Sequence, residues 1–517
     1  MTQSKTNVIA VTIAIYIATF VSAVEGTILS TALPTIVGSL HGVSLMNWVF
    51  SIYLLVTAMV TPIYGKLTDL IGRKPVVQIG LAIFTFGSLM SGLSNSMLEL
   101  VLWRAIQGLG AGALPTATVT IIADLYPYEK RPQILGLNNL VWGIATLSAP
   151  LIGGIVVNVL NWHWVFFINI PLRLLIMVLF QIFLHESKQR SKVDIDYQGS
   201  FWLMLSVLFL MLSFQFLSYK HLDWSSIAIF WIISIFTFWQ FIRRERFAKS
   251  PVVSLQLFKN RSFMVQNAVA ALISGYLMAI TVYIPIWVQG VLGTPVSYAG
   301  YAVTPHSIFW IIGSFVTSYL ITKWTPKEIL RFSLSIVLIA GILLAFIPMM
   351  TKFGWFLVIT AISGFGFGIT IVTTTVESQH LVSKDNVGIA TSFNTLAKTL
   401  GQTLMVSIFG IMLNVGIQRG ISTHEGTNLN MVNQLINPKS AMGLSANYLP
   451  KLREVLYGGL HWIYILGLIV IVLAILINKF GYKKIITKKH IGTGKFKFPI
   501  LMCFFIRNIL LSFPIHL

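Results

Sequence analysis

The fold of this 517-residue chain is decided by the stretch Gly65-Lys66-Leu67-Thr68-Asp69-Leu70-Ile71-Gly72-Arg73-Lys74. It lies between two long apolar segments and contains four charged side chains and two glycines. The gap is too short for a domain, and glycine permits the tight backbone turns that such a gap needs. The stretch therefore predicts a short basic turn between two membrane-spanning helices.

The composition supports this prediction along the whole chain. Hydrophobic residues make up 56% of it and charged residues 10%, whereas soluble domains carry about 25% charged residues. A chain this apolar needs lipid as its solvent. The single cysteine, Cys503, excludes a disulfide framework and a cysteine metal cluster, so no metal site is expected. The first apolar stretch, 8–30, is too long for a cleavable signal peptide.

Apolar stretches long enough to cross the hydrocarbon core, which takes about 20 helical residues, recur along the sequence. We predict an all-α integral membrane protein with fourteen transmembrane helices. Their approximate bounds are 8–30, 44–64, 76–94, 98–122, 134–157, 163–184, 199–218, 224–242, 263–289, 298–321, 330–350, 354–376, 388–414 and 457–478.

Lysine and arginine residues predict the orientation. With the N-terminus inside, 27 of the 36 basic residues fall in cytoplasmic segments, as the positive-inside rule requires. Both termini are therefore expected in the cytoplasm. The net charge of +21 is spread through short loops rather than gathered on one soluble face, so a nucleic-acid partner is not expected. Membrane lipid is the expected environment.

A composition shift divides the chain. The two candidate helices at 199–242 have a very short connection and are followed by a basic linker, which favours a six-plus-two-plus-six arrangement. The predicted units are an N-terminal six-helix half (1–192), two inserted helices with a linker (193–250), a C-terminal six-helix half (251–480) and a basic, apolar cytoplasmic tail (481–517).

Two further segments have simpler predictions. The external loop 415–456 is expected to be a partly helical cap or disordered. The apolar stretch 499–517 is too short to span a bilayer and is expected to be an interfacial or poorly ordered tail.

Glu25 is the only charged residue in the first predicted span. A charge at the bilayer centre costs roughly 2.5–3.5 kcal/mol on insertion scales, so such residues usually have a function. Removal from water favours the neutral form of an acid. We therefore expect Glu25 to exchange a proton when its surroundings open to water, or to attract a cation. The alternatives are a protonated glutamate bonded to a neighbouring helix and a glutamate near the external interface.

Arg104 is the second charge inside a predicted span. It keeps its charge when buried and needs acceptors. The expected partners are Glu25 or a backbone carbonyl of the first helix, with Gln107 one turn away. The glycines at 108, 110 and 112 permit close helix contact. The alternative is an arginine that extends to the outer interface.

Three other intramembrane charges give weaker predictions. Arg173 follows Pro171, which frees backbone carbonyls that an arginine can satisfy. Lys398 lies inside the thirteenth predicted span, and both residues are as compatible with structure as with function. Glu377 is a second candidate for proton coupling, paired with Lys384 or Lys398.

Charged residues near the turn at 65–74 predict a conformational latch on the cytoplasmic side. Asp124 ends the fourth predicted helix on the same side as Asp69 and Arg73, so a salt bridge could close that side in one state and break in the other. The alternative is that these residues are only polar helix ends. The full set is Gly65, Asp69, Gly72, Arg73, Lys74 and Asp124.

Together these segments resemble the fourteen-helix drug:proton antiporters of the major facilitator superfamily over residues 8–480. The stretch at 65–74 resembles the superfamily's signature loop, and Arg104 with Gln107 resembles a fourth-helix motif linked to proton coupling. Glu25 lies in an E-G-T-I-x-S-T-A segment similar to that of one subset, where many members have aspartate. The fifth predicted helix resembles the antiporter motif, with Ala149 in place of the usual glycine; its residues are Gly143, Ala149, Pro150, Gly153 and Gly154.

The resemblance implies export of small hydrophobic, often cationic compounds in exchange for protons, with Glu25, Arg104 and Glu377 in proton coupling. Alternatives are export of a specific metabolite, amino acid or toxin, and a non-transporting membrane sensor or scaffold. The sequence shows no nucleotide-binding loop, metal cluster or nucleophile constellation, so we expect neither enzyme activity nor a cofactor. The expected energy source is a proton gradient, and the chain is expected to act as a monomer. Abundant aromatic residues suit a pliable pocket or plain packing; the candidates are Tyr53, Gln107, Trp142, Tyr283, Trp287 and Phe365.

Overall fold

The apolar stretches of the sequence fold into long helices. The structure, a computed structural model, describes residues 6–40, 46–186, 196–217, 224–248, 255–294, 296–383, 386–424, 426–436, 444–445 and 447–481. Within these ranges the regular secondary structure is entirely helical. Residues 482–517 lie outside these ranges, so the residues for which the tail was predicted are outside the described part of the chain.

The described residues form nineteen α-helices and two π-helical segments, which are numbered in chain order. They are α1 (Val8–Leu40), α2 (Met46–Ile71), α3 (Arg73–Gly92), α4 (Met97–Ala111), α5 (Ala113–Leu125), α6 (Arg131–Val159), α7 (Trp164–Phe167), α8 (Asn169–Phe183), α9 (Tyr197–Leu217), α10 (Trp224–Glu245), α11 (Leu255–Lys259), α12 (Arg261–Met278), π1 (Ala279–Tyr283), α13 (Ile284–Ile286), π2 (Trp287–Val291), α14 (Val296–Leu320), α15 (Pro326–Ala345), α16 (Phe353–His380), α17 (Val387–Thr423), α18 (Leu429–Ile436) and α19 (Leu449–Phe480).

Eleven helical stretches in the described residues are long and apolar enough to cross a membrane. They do not include α6, α9 or α14, although these helices also lie at predicted positions. The all-helical membrane class is therefore confirmed. The number fourteen, the division at residues 192, 250 and 480, and the cytoplasmic termini stay predictions.

Local sequence explains where several helices begin. Gly72 has φ of 98°, a conformation that residues with a Cβ rarely adopt, and it separates α2 from α3. The Ser96 side chain accepts a hydrogen bond from the Glu99 backbone at the start of α4. Thr325 and Glu328 form a reciprocal capping box at the start of α15, which satisfies donors that a helix start leaves free.

Contacts between distant helices bring several termini to one end of the bundle. The Asn7 amide donates to the Phe183 carbonyl at 3.3 Å, joining the start of α1 to the end of α8. The Arg73 amide donates to Glu186 Oε1 at 2.6 Å, which adds the turn between α2 and α3. We call this the 65–74 end of the bundle. The start of α17 and the end of α16 lie there too, because they contact Asp69 and Tyr128.

Several predicted boundaries are wrong. The second helix continues to Ile71, through most of the predicted turn at 65–74, so that Gly72 alone separates α2 from α3. The first helix continues to Leu40 instead of ending near residue 30. The segment 415–456, expected to be a partly helical cap or disordered, is largely helical in its described part, because α17 reaches Thr423, α18 follows, and α19 begins at Leu449. The predicted bounds of these helices were too narrow because the polar residues there resemble loop composition.

Candidate functional site

Glu25 and Arg104 form a buried ion pair between α1 and α4. Arg104 Nη1 donates to Glu25 Oε1 at 2.8 Å and to Gln107 Oε1 at 2.6 Å. Gln107 Nε2 donates to the same Glu25 oxygen at 2.8 Å. Glu25 and Arg104 are 3% and 2% exposed, so neither charge reaches water in this arrangement. The predicted pairing of the two residues is present; the backbone carbonyl that Arg104 Nε contacts is Val49 of α2, at 3.2 Å, and not one of α1.

A second arginine completes the cluster, and its role could not be predicted. Arg173 Nη2 of α8 lies 3.3 Å from Glu25 Oε2 and 3.4 Å from Ser22 Oγ. Its guanidinium carbon lies 3.3 Å from the centroid of the Phe84 ring on α3, a cation–π contact. Among the described residues, Arg173 Nε and Nη1 have no hydrogen-bond partner. The Glu25 carboxylate therefore lies between two guanidinium groups on different helices.

Small residues on α4 allow these long side chains to meet. A Cβ on Gly108 would lie 2.8 Å from the Tyr53 carbonyl of α2, and one on Gly110 would lie 2.5 Å from the Gly80 carbonyl of α3. Either added methyl group would force the helices apart. The ring of Tyr53, a predicted pocket residue, faces the Arg104 guanidinium, whose central carbon lies 4.1 Å from the ring centroid.

The charge balance of this cluster determines its chemistry. One carboxylate and two guanidiniums carry a net charge of +1 in a water-excluded position. Removing one partner of a buried ion pair typically costs about 3–5 kcal/mol, because the remaining charge is left uncompensated. A proton on Glu25 would remove the only negative charge of the cluster and leave both arginines facing each other. Protonation and this arrangement therefore oppose one another.

At the 65–74 end, Asp69 connects α2 to α17. Asp69 Oδ1 accepts a hydrogen bond from the Gly388 amide at 3.1 Å, and Oδ2 accepts one from the Ile389 amide at 3.0 Å. These are free donors at the start of a helix, where a carboxylate is also favoured by the helix dipole. The predicted latch residue thus holds an N-terminal helix against a C-terminal one.

Arg73 ties Asp69 to α5. Its Nη2 lies 3.5 Å from Asp69 Oδ1, and its Nε lies 2.8 Å from Asp124 Oδ2. Its Nη1 also donates to the Thr68 carbonyl at 3.0 Å. Lys74 Nζ donates to the Gln181 carbonyl at 2.7 Å. The predicted set is therefore assembled, and Glu186, which binds the Arg73 amide, is a member that the sequence did not reveal.

Two glycines make this contact close. A Cβ on Gly65 would collide with the Ser392 side chain and lie 2.8 Å from the Gly388 carbonyl. A Cβ on Gly388 would collide with Thr68 and lie 2.7 Å from Asp69 Oδ1. The 65–74 end is thus closed where α2 and α17 meet.

Glu377 contributes to the same closure. Its Oε2 accepts a hydrogen bond from the Tyr128 hydroxyl at 3.0 Å. Burial and the Glu377 carboxylate raise the pKa of Tyr128 well above its ordinary range, so the phenol stays a donor. The predicted pairing with Lys398 is absent in the described residues, because Lys398 Nζ donates to Thr375 Oγ1 instead; Lys384 lies outside the described residues.

The remaining predicted residues lie in other parts of the bundle. The helix α6 runs without a break through residues 143–154. Ala149 and Gly153 are buried, and the surroundings of Pro150 and Gly154 are not described. A Cβ on Gly143 would lie 3.9 Å from Ile311 of α14.

The aromatic pocket candidates are not brought to one place. Trp287 is fully buried against Phe356, Tyr457 and Tyr464. Tyr283 is 4% exposed, Phe365 is partly buried and Trp142 is 49% exposed. Their roles in substrate binding stay predictions.

Long apolar helices around buried charges, with a closed contact at one end, define a membrane transport protein. Comparison with known proteins agrees. A model of the Major Facilitator Superfamily matches residues 15–406. The chain therefore belongs to the Major Facilitator Superfamily, a transporter family and not an enzyme family, and it is a multi-pass protein of the cell membrane that carries small molecules.

Relatives and solved structures agree with this placement. Over 466 residues the chain is 33% identical to multidrug resistance protein 3 of Bacillus subtilis, covering 88% of this chain and 91% of that protein. It is 32% identical over 400 residues to the multidrug transporter protein MdtP of the same organism, covering 77% and 74%. The crystal structure of the E. coli fucose:proton symporter matches with a TM-score of 0.58 at 15% identity, covering 92% of this chain and 98% of that one; this likeness concerns the fold alone.

Proposed function

We propose that this chain is a proton-coupled multidrug exporter that works by alternating access. The observation that carries the proposal is the buried position of Glu25 between Arg104 and Arg173. Two relatives named as multidrug proteins, each about one third identical, support small hydrophobic compounds as substrates. The energy source is the proton gradient, and the chain acts without a cofactor.

The coupling follows from charge. In the described arrangement the Glu25 carboxylate compensates the arginines while the 65–74 end is closed. A proton that reaches Glu25 from the opposite side leaves the two guanidiniums uncompensated, which favours separation of α1, α4 and α8. That rearrangement opens the 65–74 end, where the proton leaves and a new substrate enters. Deprotonated Glu25 then restores the cluster, and the closed end returns.

The test is efflux of ethidium, a lipophilic cation of the class that the family resemblance implies, from preloaded cells. Wild type should extrude the dye, and both Glu25→Gln and a protonophore should stop it. Glu25→Asp keeps the acid and should retain partial efflux, while Glu454→Gln, at an exposed position, should extrude like wild type. Efflux by Glu25→Gln would place the proton elsewhere, with Glu377 as the next candidate. Absence of efflux of any hydrophobic dye by wild type would refute multidrug export.

A further inference from the structure

Lys398 is a positive charge inside the membrane-spanning region that the coupling mechanism does not use. It lies on α17, eleven residues after the helix start at Val387, and is partly exposed. Among the described residues, its ammonium finds one hydrogen-bond acceptor, Thr375 Oγ1 at 3.3 Å. No carboxylate of the described residues lies within 4.0 Å of it. An ammonium can donate three hydrogen bonds, so capacity remains for a ligand.

The faces of α17 show where the exposed part of Lys398 points. Asn394 and Gly401 contact α12, and Ser392 contacts α2. On another side of the helix, Phe393 packs against Phe258 of α11 and Phe263 of α12. With about 100° of rotation per residue, Lys398 lies between the face on α12 and the face on α2, away from Phe393.

The sector of α17 that contains Lys398 is also the one that faces α16. Thr391, which lies in the same sector, accepts a hydrogen bond from Gln379 of α16 at 3.0 Å. Helices from both parts of the chain flank this sector, α2 on one side and α12 with α16 on the other, so the partly exposed Lys398 side chain lies between N-terminal and C-terminal helices.

A chain of neutral side chains holds the ammonium in place. Thr375 Oγ1 is 3.1 Å from Asn394 Oδ1, and Asn394 Nδ2 donates to Asn267 Oδ1 at 3.1 Å. Asn267 Nδ2 in turn donates to Ser378 Oγ at 3.4 Å. The network joins α12, α16 and α17 and fixes the position of the Lys398 head group. It supplies oxygen atoms but no negative charge.

The charge balance of the interior favours a negative ligand. Apart from charges near helix ends, such as Glu99, Lys327 and Arg453, the buried or partly buried charges of the described helices away from the 65–74 end are Glu25, Arg104, Arg173 and Lys398. Glu25 compensates one arginine, which leaves an excess of positive charge. A lipophilic cation entering this space would be repelled, whereas an anion would be attracted, and in a low-dielectric site the effect is large.

We propose that Lys398 binds the negative group of the substrate, so that the preferred compounds are amphipathic anions, with an apolar body and a carboxylate, sulfonate or phosphate-type group. The inference rests on the proposed export function and departs from the cationic substrates that the family resemblance implies. Export of an anion is also favoured by an inside-negative membrane potential, whereas export of a cation is opposed by it.

Two dyes of similar size and opposite charge test this assignment: fluorescein, an aromatic anion, and ethidium, an aromatic cation. Binding to the purified full-length protein in detergent is measured by fluorescence anisotropy, and efflux is measured in cells. The variants are Lys398→Gln, which removes the charge, and Lys398→Arg, which keeps it. Lys352→Gln, at an α16 N-cap far along the helix from Thr375, is the matched control.

We expect wild type to bind fluorescein more tightly than ethidium. Lys398→Gln should weaken fluorescein binding at least about tenfold and leave ethidium binding equal or stronger, while Lys398→Arg and Lys352→Gln should resemble wild type. Export of ethidium with no binding of fluorescein would overturn this inference and leave the proposed export function standing. Binding of fluorescein that depends on Lys398, without efflux of either dye, would retain the anion site and overturn export. Unchanged fluorescein binding in Lys398→Gln would overturn the assignment of Lys398.

Discussion

Asp69 and Ile389 are 320 residues apart in sequence, and Asp69 Oδ2 accepts a hydrogen bond from the Ile389 amide at 3.0 Å. The other carboxylate oxygen accepts from the Gly388 amide at 3.1 Å. One side chain of α2 therefore caps the start of α17, and the stability of that cap contributes to closure of the 65–74 end. If the chain works by the proposed alternating access, breaking this cap should change the balance between the closed and open arrangements without touching the Glu25 cluster.

Asp69→Ala should open the 65–74 end. Loss of a helix cap costs about 0.5–2 kcal/mol, which shifts the equilibrium by about two- to thirtyfold. In a chain without its natural cysteine (Cys503→Ser), Ser392→Cys places a thiol at the closed contact, where Ser392 is 1% exposed. Maleimide labelling of that thiol should accelerate with Asp69→Ala. Labelling of Ser445→Cys, at an exposed position between α18 and α19, should not change. Equal labelling rates at the Ser392→Cys thiol would show that the cap does not control closure.

Gly65→Ala should prevent closure, because its methyl group would collide with Ser392. We expect efflux to fall at least about tenfold while the protein still folds. Gly354→Ala is the matched control, since a Cβ there meets nothing within 4 Å. Ser392→Gly, combined with Gly65→Ala, removes the side chain that collides and should restore part of the efflux. Full activity of the single variant would contradict a tight contact between α2 and α17.

The sequence predicted which charges matter better than it predicted their partners. Glu25, Arg104 and Gln107 could be found because charged or polar residues inside apolar spans are rare, and positions three apart on a helix share a face. Asp69 could be assigned to a latch because it lies in the charged stretch 65–74, on the same side as Asp124. Its partners could not be identified, because they are backbone amides of α17 and any residue type would provide them.

Arg173 shows the limit of sequence reasoning more clearly. Its carboxylate partner, Glu25, is 148 residues away, and nothing local links the two. For Glu377 the sequence favoured a lysine close by in the chain as its partner, whereas the structure pairs it with Tyr128, which is 249 residues away. Helix boundaries were predicted to within a few residues in most places, because they depend on local apolar length. Contacts between helices depend on packing that one sequence does not display.

Arg173→Gln should separate a coupling role from a structural one. The variant leaves Glu25 paired with Arg104, with balanced charges, and removes a guanidinium that has two nitrogens without partners among the described residues. Its melting temperature should therefore match or exceed that of wild type. Since the Arg173 guanidinium lies 3.3 Å from the Glu25 carboxylate, a coupling role predicts that its removal changes the pH profile of efflux. A fall in melting temperature with an unchanged profile would make Arg173 purely structural. Arg173→Lys, which keeps the charge, should retain the wild-type profile.

Tyr128→Phe should weaken closure at a second point without removing a charge. The hydroxyl donates to Glu377 Oε2 at 3.0 Å, and a hydrogen bond to a charged group contributes about 1.5–3 kcal/mol, or about a ten- to hundredfold shift toward the open arrangement. Labelling of the Ser392→Cys thiol should accelerate by that factor. Combination with Asp69→Ala should add to the effect, because the two contacts lie on different helix pairs, α2 with α17 and the turn at Tyr128 with α16. Tyr319→Phe, on the exposed surface of α14, is the control. A double variant no faster than Asp69→Ala alone would mean that the two contacts do not stabilise closure independently.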